Sequence, residues 1–414
     1  MNVAIMGSGA SGKAVEKLCQ SKSWKYEVFD DNIGSSAGDF CSFDIIVVSP
    51  GIPPTSGMYR TASASGVEIV SEMEFGFRFS SCPVIAITGT NGKTTTTELT
   101  TALLNSIGYD ARPVGNIGQP ICEALLDPHD NKTVYVAEVS SFQLEKASTF
   151  APVAAAVINI ASDHLDRYGG DLLFYAQTKF DMMRTVPVEN RVFGMTLEKD
   201  LRFQLPKHST AYVFLINNAI CFEDNLLVNI SDLSLKGMHN IENVIVALKL
   251  VAAFAGKRKL LDECLIKALC EFIPGNHRLE VVAEKNGIKY VNDSKATNPH
   301  AVIAAVNAVA EGNRPNVRLL LGGLDKGMDF GELLTCLPKV KKAYLLGQSR
   351  KTIANTIDGL VETELFESFD DAVLKACEEA EPGDVVLLSP ACASMDMFKN
   401  YAERGERFRQ LVKG

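Results

Sequence analysis

Val84-Ile85-Ala86-Ile87-Thr88-Gly89-Thr90-Asn91-Gly92-Lys93-Thr94-Thr95-Thr96 decides how the chain is read. An apolar run, a glycine-bearing turn and a Lys-Thr opening predict a strand, a loop and a helix in that order. Such an arrangement gathers backbone N–H groups and a helix N-terminus at one point, and both favour an anion such as phosphate. Lys93 adds a mobile positive charge for the outer phosphates, and Thr94 a hydroxyl for Mg²⁺. The common phosphate loop, G-x-x-x-x-G-K-[ST], asks for a glycine where this chain has Ile87. Gly89 makes the loop shorter, G-x-x-G-K-T. This stretch alone leaves open a plain glycine turn carrying a surface lysine.

Downstream of the loop, a helix is expected from Lys93 to about Ile107, stopping at Gly108. Val134-Tyr135-Val136-Ala137 reads as a strand delivering Glu138 at its tip, well placed to hold Mg²⁺ or orient its waters. Val153 to Ile158 is a further strand, leading into Asn159-Ile160-Ala161-Ser162-Asp163-His164. His164 stands in a polar, strand-terminal loop, which favours a functional histidine over a core one. Lys179, on a helix expected over 172–183, reads by itself as an ordinary solvated lysine. Residues 188–235 alternate weakly and carry hairpin-like turns such as Glu223-Asp224-Asn225, predicting a small β-rich excursion. Two helices follow, from Gly237 to near Gly256 and over 260–272.

The chain upstream has a second nucleotide-like signature. Val3-Ala4-Ile5-Met6 is a buried strand, Gly7-Ser8-Gly9-Ala10-Ser11-Gly12 a full G-x-G-x-x-G, and Tyr26 to Phe29 a second strand ending in Asp30-Asp31. Glycines followed about 20 residues later by an acid form the dinucleotide-binding pattern. An oxidoreductase therefore has to be considered, though no hydride-transfer partner is evident beside this motif. A ligand-free strand–helix turn is the structural alternative. Ser49-Pro50-Gly51 ends another apolar strand, at the edge where parallel sheets bind ligands.

The remaining chain repeats this grammar. Two strands flank Asn286-Gly287, a hairpin turn. Polar clusters follow strands at Asn292-Asp293-Ser294-Lys295-Ala296-Thr297-Asn298, at Gly322 to Gly327 and at Ser389 to Ser394. A parallel α/β fold with its ligand groups on one edge is predicted. It is laid out as three domains: a Rossmann-like block over 1–81, a central P-loop ATPase-like α/β block over 82–275, and a Rossmann-like C-terminal block over 276–414.

Composition narrows the function classes. The 414 residues are 46% hydrophobic and 22% charged, ordinary for globular protein. A net charge of −9, from 41 basic and 50 acidic residues, argues against nucleic-acid binding. Ten cysteines with no C-x-x-C pair predict reduced thiols in a cytoplasmic protein, not a disulfide framework or zinc site. The N-terminus lacks a basic region ahead of its apolar run, so no signal peptide is expected. No apolar run is long enough to predict a membrane span.

These motifs together resemble the Mur ligases of bacterial cell-wall synthesis, over nearly the whole length. The family's shortened loop, T-G-[ST]-N-G-K-[ST]-T, stands at Thr88 to Thr95 and accounts for the missing glycine. Other matches are Gly115-Asn116-Ile117-Gly118, Glu138 to Glu145, Asp163 to Tyr168, His239-Asn240 with Asn243, and His277-Arg278. Further matches are Asn292 to Asn298, Gly322 to Phe330 and Leu388 to Ser394. The Asp-Ser-Lys-Ala-Thr-Asn and Ser-Pro-Ala-Cys-Ala-Ser clusters favour the D-glutamate-adding member. An Asp-Asn-Pro-Arg run, associated with the diaminopimelate-adding relative, is absent from the sequence.

The resemblance implies an ATP-dependent amide ligase acting on UDP-N-acetylmuramoyl-L-alanine and D-glutamate. The first block would hold UDP rather than NAD, through Ser11, Asp30 or Asp31, and Gly51. ATP would lie on Gly89, Thr90, Asn91, Gly92, Lys93, Thr94, Thr95 and Thr96, with Asn243, Arg278 and Asp293 closing on it. Glu138, His164 and Lys179, with Thr94, would surround two Mg²⁺ ions, and Lys93 is expected among the catalytic groups. Lys179 would be carbamylated, because a protonated amine beside Mg²⁺ is repelled. Asn116 and Ser140 match positions touching the muramoyl substrate. Thr297, Lys326, Ser394 and Tyr401 match positions around D-glutamate, Tyr401 being a phenylalanine in some relatives. A monomer is expected.

Overall fold

The computed structural model describes residues 1–31, 39–208, 212–312 and 314–414. These divide into two compact units. The first comprises Met1–Asn159, Tyr175–Ser234 and Glu242–Phe272, and the second Ile160–Phe174, Leu235–Ile241 and Ile273–Gly414.

The first unit holds three sheets. At its start, β1 (Asn2–Met6), β2 (Lys25–Phe29), β3 (Ile45–Val48) and β4 (Ile69–Ser71) run parallel in the order β2-β1-β3-β4. Successive side chains on a strand point to opposite faces. Val3 and Ile5 therefore join Ile45, Val47 and Val70 under the helix Ala10–Ser21, which contributes Ala14, Val15 and Leu18. Ala4 and Met6 join Phe29, Ile46 and Val48 against Met58, Tyr59 and Ala62 of the helix Gly57–Ala64. With both faces covered, these strands read as unbroken apolar runs.

The central sheet is also wholly parallel. It is built from β5 (Val84–Thr88), β6 (Asp110–Gly115), β7 (Thr133–Glu138), β8 (Ala154–Val157) and β9 (Arg191–Phe193), in the order β6-β7-β5-β8-β9. Every residue of β5 and β7 is buried. From β5 the chain goes to the edge strand β6, returns to β7 beside β5 and then crosses to β8 on the other side, and such a change of direction marks the carboxyl edge where open parallel sheets bind ligands. The helix Lys93–Ser106 follows β5 directly, as its sequence predicts.

The β-rich excursion differs from expectation at its start. Arg191–Phe193 pairs with β8 and extends the central sheet; a three-residue strand carries too little alternation to be assigned from sequence. Beyond it come the helical turn Met195–Glu198 and an antiparallel meander, β10 (Val213–Ile216), β11 (Ala219–Phe222) and β12 (Asn225–Asn229), and residues 209–211 lie outside the described ones. Its first turn places Asn217 and Asn218 at positive φ, the mirror-image geometry that suits strand twist. The helix expected over 260–272 is instead a short 3-10 turn, Lys257–Leu261, and an α-helix, Glu263–Glu271, divided by the N-cap Asp262. Met238–Ala255 is the one helix among the described residues long and apolar enough to cross a bilayer, and 67% of it is buried inside the fold.

The second unit is built on one six-stranded sheet. Its strands are β13 (Glu280–Lys285), β14 (Ile288–Asn292), β15 (Val317–Gly322), β16 (Val340–Leu346), β17 (Glu362–Leu365) and β18 (Val385–Leu388), in the order β13-β14-β18-β15-β16-β17. Only the β13–β14 hairpin is antiparallel, around Asn286 and Gly287 at positive φ. Val291, Leu319, Leu321, Leu345 and Leu387 pack one face, and Tyr290, Leu320, Tyr344, Leu346 and Leu388 the other. Because β18 inserts between β14 and β15, the polar clusters at 292–298, 322–327 and 389–394 end side by side on one sheet edge.

Candidate active site

The loop after β5 is shaped by its two glycines. Gly89 has φ +151° and Gly92 φ +82°, conformations that side chains rarely adopt. A Cβ on Gly92 would stand 2.2 Å from Asn243 Oδ1, so only glycine lets the loop meet that helix. Asn159, just past β8, fixes the loop from the side: its carbonyl accepts from Thr90 N at 3.0 Å and its Oδ1 from Asn91 N at 2.8 Å. Lys93 lies along the loop, its Nζ donating to the carbonyls of Gly89 (3.0 Å) and Thr90 (2.8 Å).

Glu138, at the tip of β7, is buried and faces the first turn of the helix Lys93–Ser106. Its Oε2 accepts from Thr94 Oγ1 at 2.6 Å and its Oε1 from Asn116 Nδ2 at 2.7 Å. Thr94, Asn116 and Glu138 thus form one cluster at the edge of the phosphate loop. Ser140 caps the next turn, accepting from Gln143 N and donating to Gln143 Oε1 at 2.8 Å.

Lys179 is not a solvated surface lysine. It is 1% exposed, and its Nζ donates to Thr88 Oγ1 (3.3 Å) and Gly89 O (3.2 Å) while lying 4.6 Å from the centre of the Tyr175 ring. Its helix packs this face against β5, a tertiary fact that the residue's own sequence surroundings do not encode. Tyr175, one turn earlier, reaches Thr90 Oγ1 with its hydroxyl at 3.3 Å. Sequence reasoning assigned no role to Tyr175 or Asn159. The i, i+4 spacing of Tyr175 with Lys179, and the place of Asn159 at a strand tip, were the available signals.

At the first sheet, Asp30 Oδ2 accepts from both Ser8 N and Ser8 Oγ at 2.7 Å, so the acid braces the glycine turn. Gly12 lets the helix approach, since a Cβ there would stand 1.9 Å from Gly7 O. Ser11 is half-buried, Asp31 and Gly51 are exposed, and Gly51 lies beyond β3, which neighbours β1.

In the second unit, His164 has φ +54°, and its Nε2 lies 3.6 Å from Asp163 Oδ1. Asp163 Oδ2 accepts from Asn298 Nδ2 at 3.4 Å. Asp293 is buried, with Ser389 Oγ donating to one oxygen (2.9 Å) and Leu279 N to the other (3.2 Å). Burial pushes its carboxyl up to about 7, against the pull of these two donors and of Arg278. Asp293 thus holds the segment beside Arg278, where His277 and Leu279 both take positive φ. Tyr401 lies under Lys295, whose Nζ is 3.9 Å from the ring centre. Ser394 is buried; Thr297 and Lys326 are half-buried on neighbouring loops of the same edge. Arg404 binds these loops together, donating to Ser294 Oγ, Ser294 O and Cys392 O.

Among the described residues, no three His, Cys, Asp or Glu side chains are gathered as a metal site. Magnesium needs fewer protein ligands, keeping waters and phosphate oxygens around one or two carboxylates. The hydroxyl of Thr94 and the carboxylate of Glu138 fit it as hard oxygen donors; Lys179 as an ammonium does not.

A short phosphate loop on a parallel sheet, with a buried acid at the neighbouring strand tip, defines a nucleotide-dependent enzyme. Residues 87–251 match the Mur ligase middle domain, and residues 277–392 match the Mur ligase, glutamate ligase domain. The chain is 38% identical to the UDP-N-acetylmuramoylalanine–D-glutamate ligase of Pelotomaculum thermopropionicum, across 99% of this chain and 97% of that one. Among solved structures, it shares its fold with the UDP-N-acetylmuramate–alanine ligase of Thermotoga maritima (TM-score 0.65, 16% identity, 100% and 99% of the two chains). It also resembles the MurF ligase of Thermotoga maritima, solved in complex with ADP (TM-score 0.61, 18% identity, 89% and 95% covered). The chain belongs to the Mur ligase family, within the branch of the UDP-N-acetylmuramoylalanine–D-glutamate ligases.

Proposed function

We propose that the chain joins D-glutamate to the L-alanyl carboxyl of UDP-N-acetylmuramoyl-L-alanine, with cleavage of ATP to ADP and phosphate, in peptidoglycan precursor synthesis. The observation that carries this reading is the cluster of Lys93, Thr94 and Glu138, set in a chain related along its whole length to ligases of that name.

A carboxylate is a poor acyl donor because its leaving group would be oxide. Transfer of the γ-phosphoryl group to it gives an acyl phosphate. Lys93 balances charge on that group, as positioned cations do in phosphoryl transfer. The neutral amine of D-glutamate then attacks, and phosphate leaves the tetrahedral intermediate as the amide forms. Mg²⁺, two ions in this reading, would be held by Thr94, Glu138, His164 and Lys179 and would neutralise phosphate charge. Lys179 would serve as a carbamate. The neutral amine is the form that adds carbon dioxide, giving an oxygen donor where the ammonium would be repelled by Mg²⁺.

The rest of the assignment follows the same reading. Three domains, 1–81, 82–275 and 276–414, would bind the UDP-sugar, ATP and the amino acid in turn. Ser11, Asp30, Asp31 and Gly51 would meet the uridine nucleotide, with Asp30 also bracing Ser8. Asn116 and Ser140 would meet the muramoyl group, and Asn243, Arg278 and Asp293 would serve the nucleotide site. Asp293 would act by holding its neighbours, since both its oxygens already accept hydrogen bonds. Thr297, Lys326, Ser394 and Tyr401 would surround D-glutamate, a dianion that needs donors and a cation. The enzyme would work as a cytoplasmic monomer.

The test is phosphate release by the purified protein with UDP-N-acetylmuramoyl-L-alanine, ATP, Mg²⁺ and a panel of amino acids. Release requiring both the UDP-sugar and D-glutamate is expected. Preference for another amino acid would make the chain a sister ligase, and release with neither would remove the ligase reading.

A further inference from the structure

We infer that Glu242 is a positioning residue for the nucleotide loop, the support that seats Asn243 against Gly92. Two arms lead from Glu242 to that loop. The first is short: Asn243, the next residue of the same helix, meets Gly92, where a Cβ would stand 2.2 Å from its Oδ1. The second runs through the neighbouring strands. Glu242 Oε1 accepts from Thr196 N at 2.7 Å and Oε2 from Thr196 Oγ1 at 3.2 Å. This carboxylate supplies the cap for the turn Met195–Glu198, whose own N-cap, Gly194, has no side chain.

Gly194 brings the second arm back to the loop. A Cβ there would stand 2.0 Å from Ile158 O and 2.8 Å from Glu242 Oε1, so its bare backbone fits between them. Ile158 precedes Asn159, which holds Thr90 and Asn91. The contacts close a ring: loop, Asn159, Gly194, Glu242, Asn243 and loop again. All of its members belong to the first unit.

Glu242 is 7% exposed. A buried acid of this kind is costly unless its donors hold it in place. Lys249, also on the helix and buried, pairs with Glu198 at 3.5 Å and faces the same cluster. Removing the Glu242 side chain leaves Thr196 N without its acceptor and frees the second turn of the helix, which carries Glu242 and Asn243, to shift. Asn243 moves with that turn. No atom of Glu242 needs to touch the nucleotide for this to matter.

The inference rests on the reading of Gly89 to Thr96 as the ATP loop, and the test separates the two. Calorimetric titration of the full chain with ATP and Mg²⁺ comes first. A wild-type chain that binds no ATP overturns the nucleotide reading and this inference with it. With wild-type binding in hand, Glu242→Ala is expected to raise the Kd for ATP roughly tenfold, as loss of a buried acceptor does. Its KM for D-glutamate and for the UDP-sugar should stay within about twofold of wild type. Glu242→Gln keeps an acceptor for Thr196 N and should restore ATP affinity to within about twofold. ATP affinity unchanged in Glu242→Ala overturns the inference, as does an equal rise in all three constants. Should Glu242→Ala not fold, Thr196→Val removes one of the two hydrogen bonds, and roughly threefold weaker ATP binding is expected. Unaltered binding in that variant is equally decisive against it.

Discussion

Lys93, Lys179 and Asp293 are three ionisable side chains whose tasks follow from where each is held. Lys93 curls over the carbonyls of its own loop, from which it can turn to a phosphate. Lys93→Ala is expected to lower kcat by about two to three orders of magnitude, typical for one preorganised charge, while circular dichroism shows the fold kept. Lys179→Ala should lose most turnover and regain part of it with added short carboxylates, read in the same phosphate-release assay; absence of rescue would speak against the carbamate. Asp293 makes a prediction about stability. Its carboxyl titrates near 3.8 when unperturbed and near 7 in the fold. Between those values the native chain keeps a proton that the unfolded chain has released, so stability falls as pH rises through that window. Asp293→Asn should remove this part of the slope, measured by urea unfolding between about pH 5 and about pH 8. Glu72, buried and also raised to about 7, acts with the same sign, so the comparison is variant against wild type. The titration of Asp293 could not be read from sequence, where Asn-Asp-Ser-Lys is only a polar cluster. It arises from the burial of Asp293 between two loops.

Among the elements, the strand–loop–helix at β5 was legible because every signal there is local: an apolar run, glycines at left-handed positions and a helix opening on Lys-Thr. The hairpin at Asn286-Gly287 was legible for the same reason. The short strand β9 was not, since its place beside β8 depends on pairing across more than thirty residues of intervening chain. The burial of Lys179 is of this second kind, because its neighbours along the chain do not show which face of the helix packs on β5. The Gly92 turn gives a prediction at this scale. Gly92→Ala forces a side chain into φ +82° and against Asn243 Oδ1. A stability loss of roughly 1–3 kcal/mol is expected from the strained backbone. A larger proportional loss in kcat/KM for ATP should accompany it, since the displaced group lies at the loop itself. Urea unfolding and steady-state kinetics measure the two parts.

Three wholly or mostly parallel sheets give this molecule a common plan, in which apolar strands end in polar loops along one edge. That plan is why the fold class and the order of the site clusters could be read from sequence, strand by strand, whereas the partners holding each side chain could not. ATP binding to the folded chain alone should stabilise the whole molecule. At about one hundred times its Kd the gain is roughly 2.7 kcal/mol. It should appear as a higher unfolding midpoint with ATP and Mg²⁺, and a smaller rise is expected in Lys93→Ala. The contact between Gly92 and Asn243 also bears on how the gene can vary. A single substitution at Gly92 meets both a left-handed backbone and an occupied space. A second change that clears Asn243 cures only the crowding. The two positions are therefore locked in mutual dependence, and viable escape routes are scarce. An antibacterial compound that rests on the Gly92 backbone would press on a part of the chain where resistance has little room to evolve.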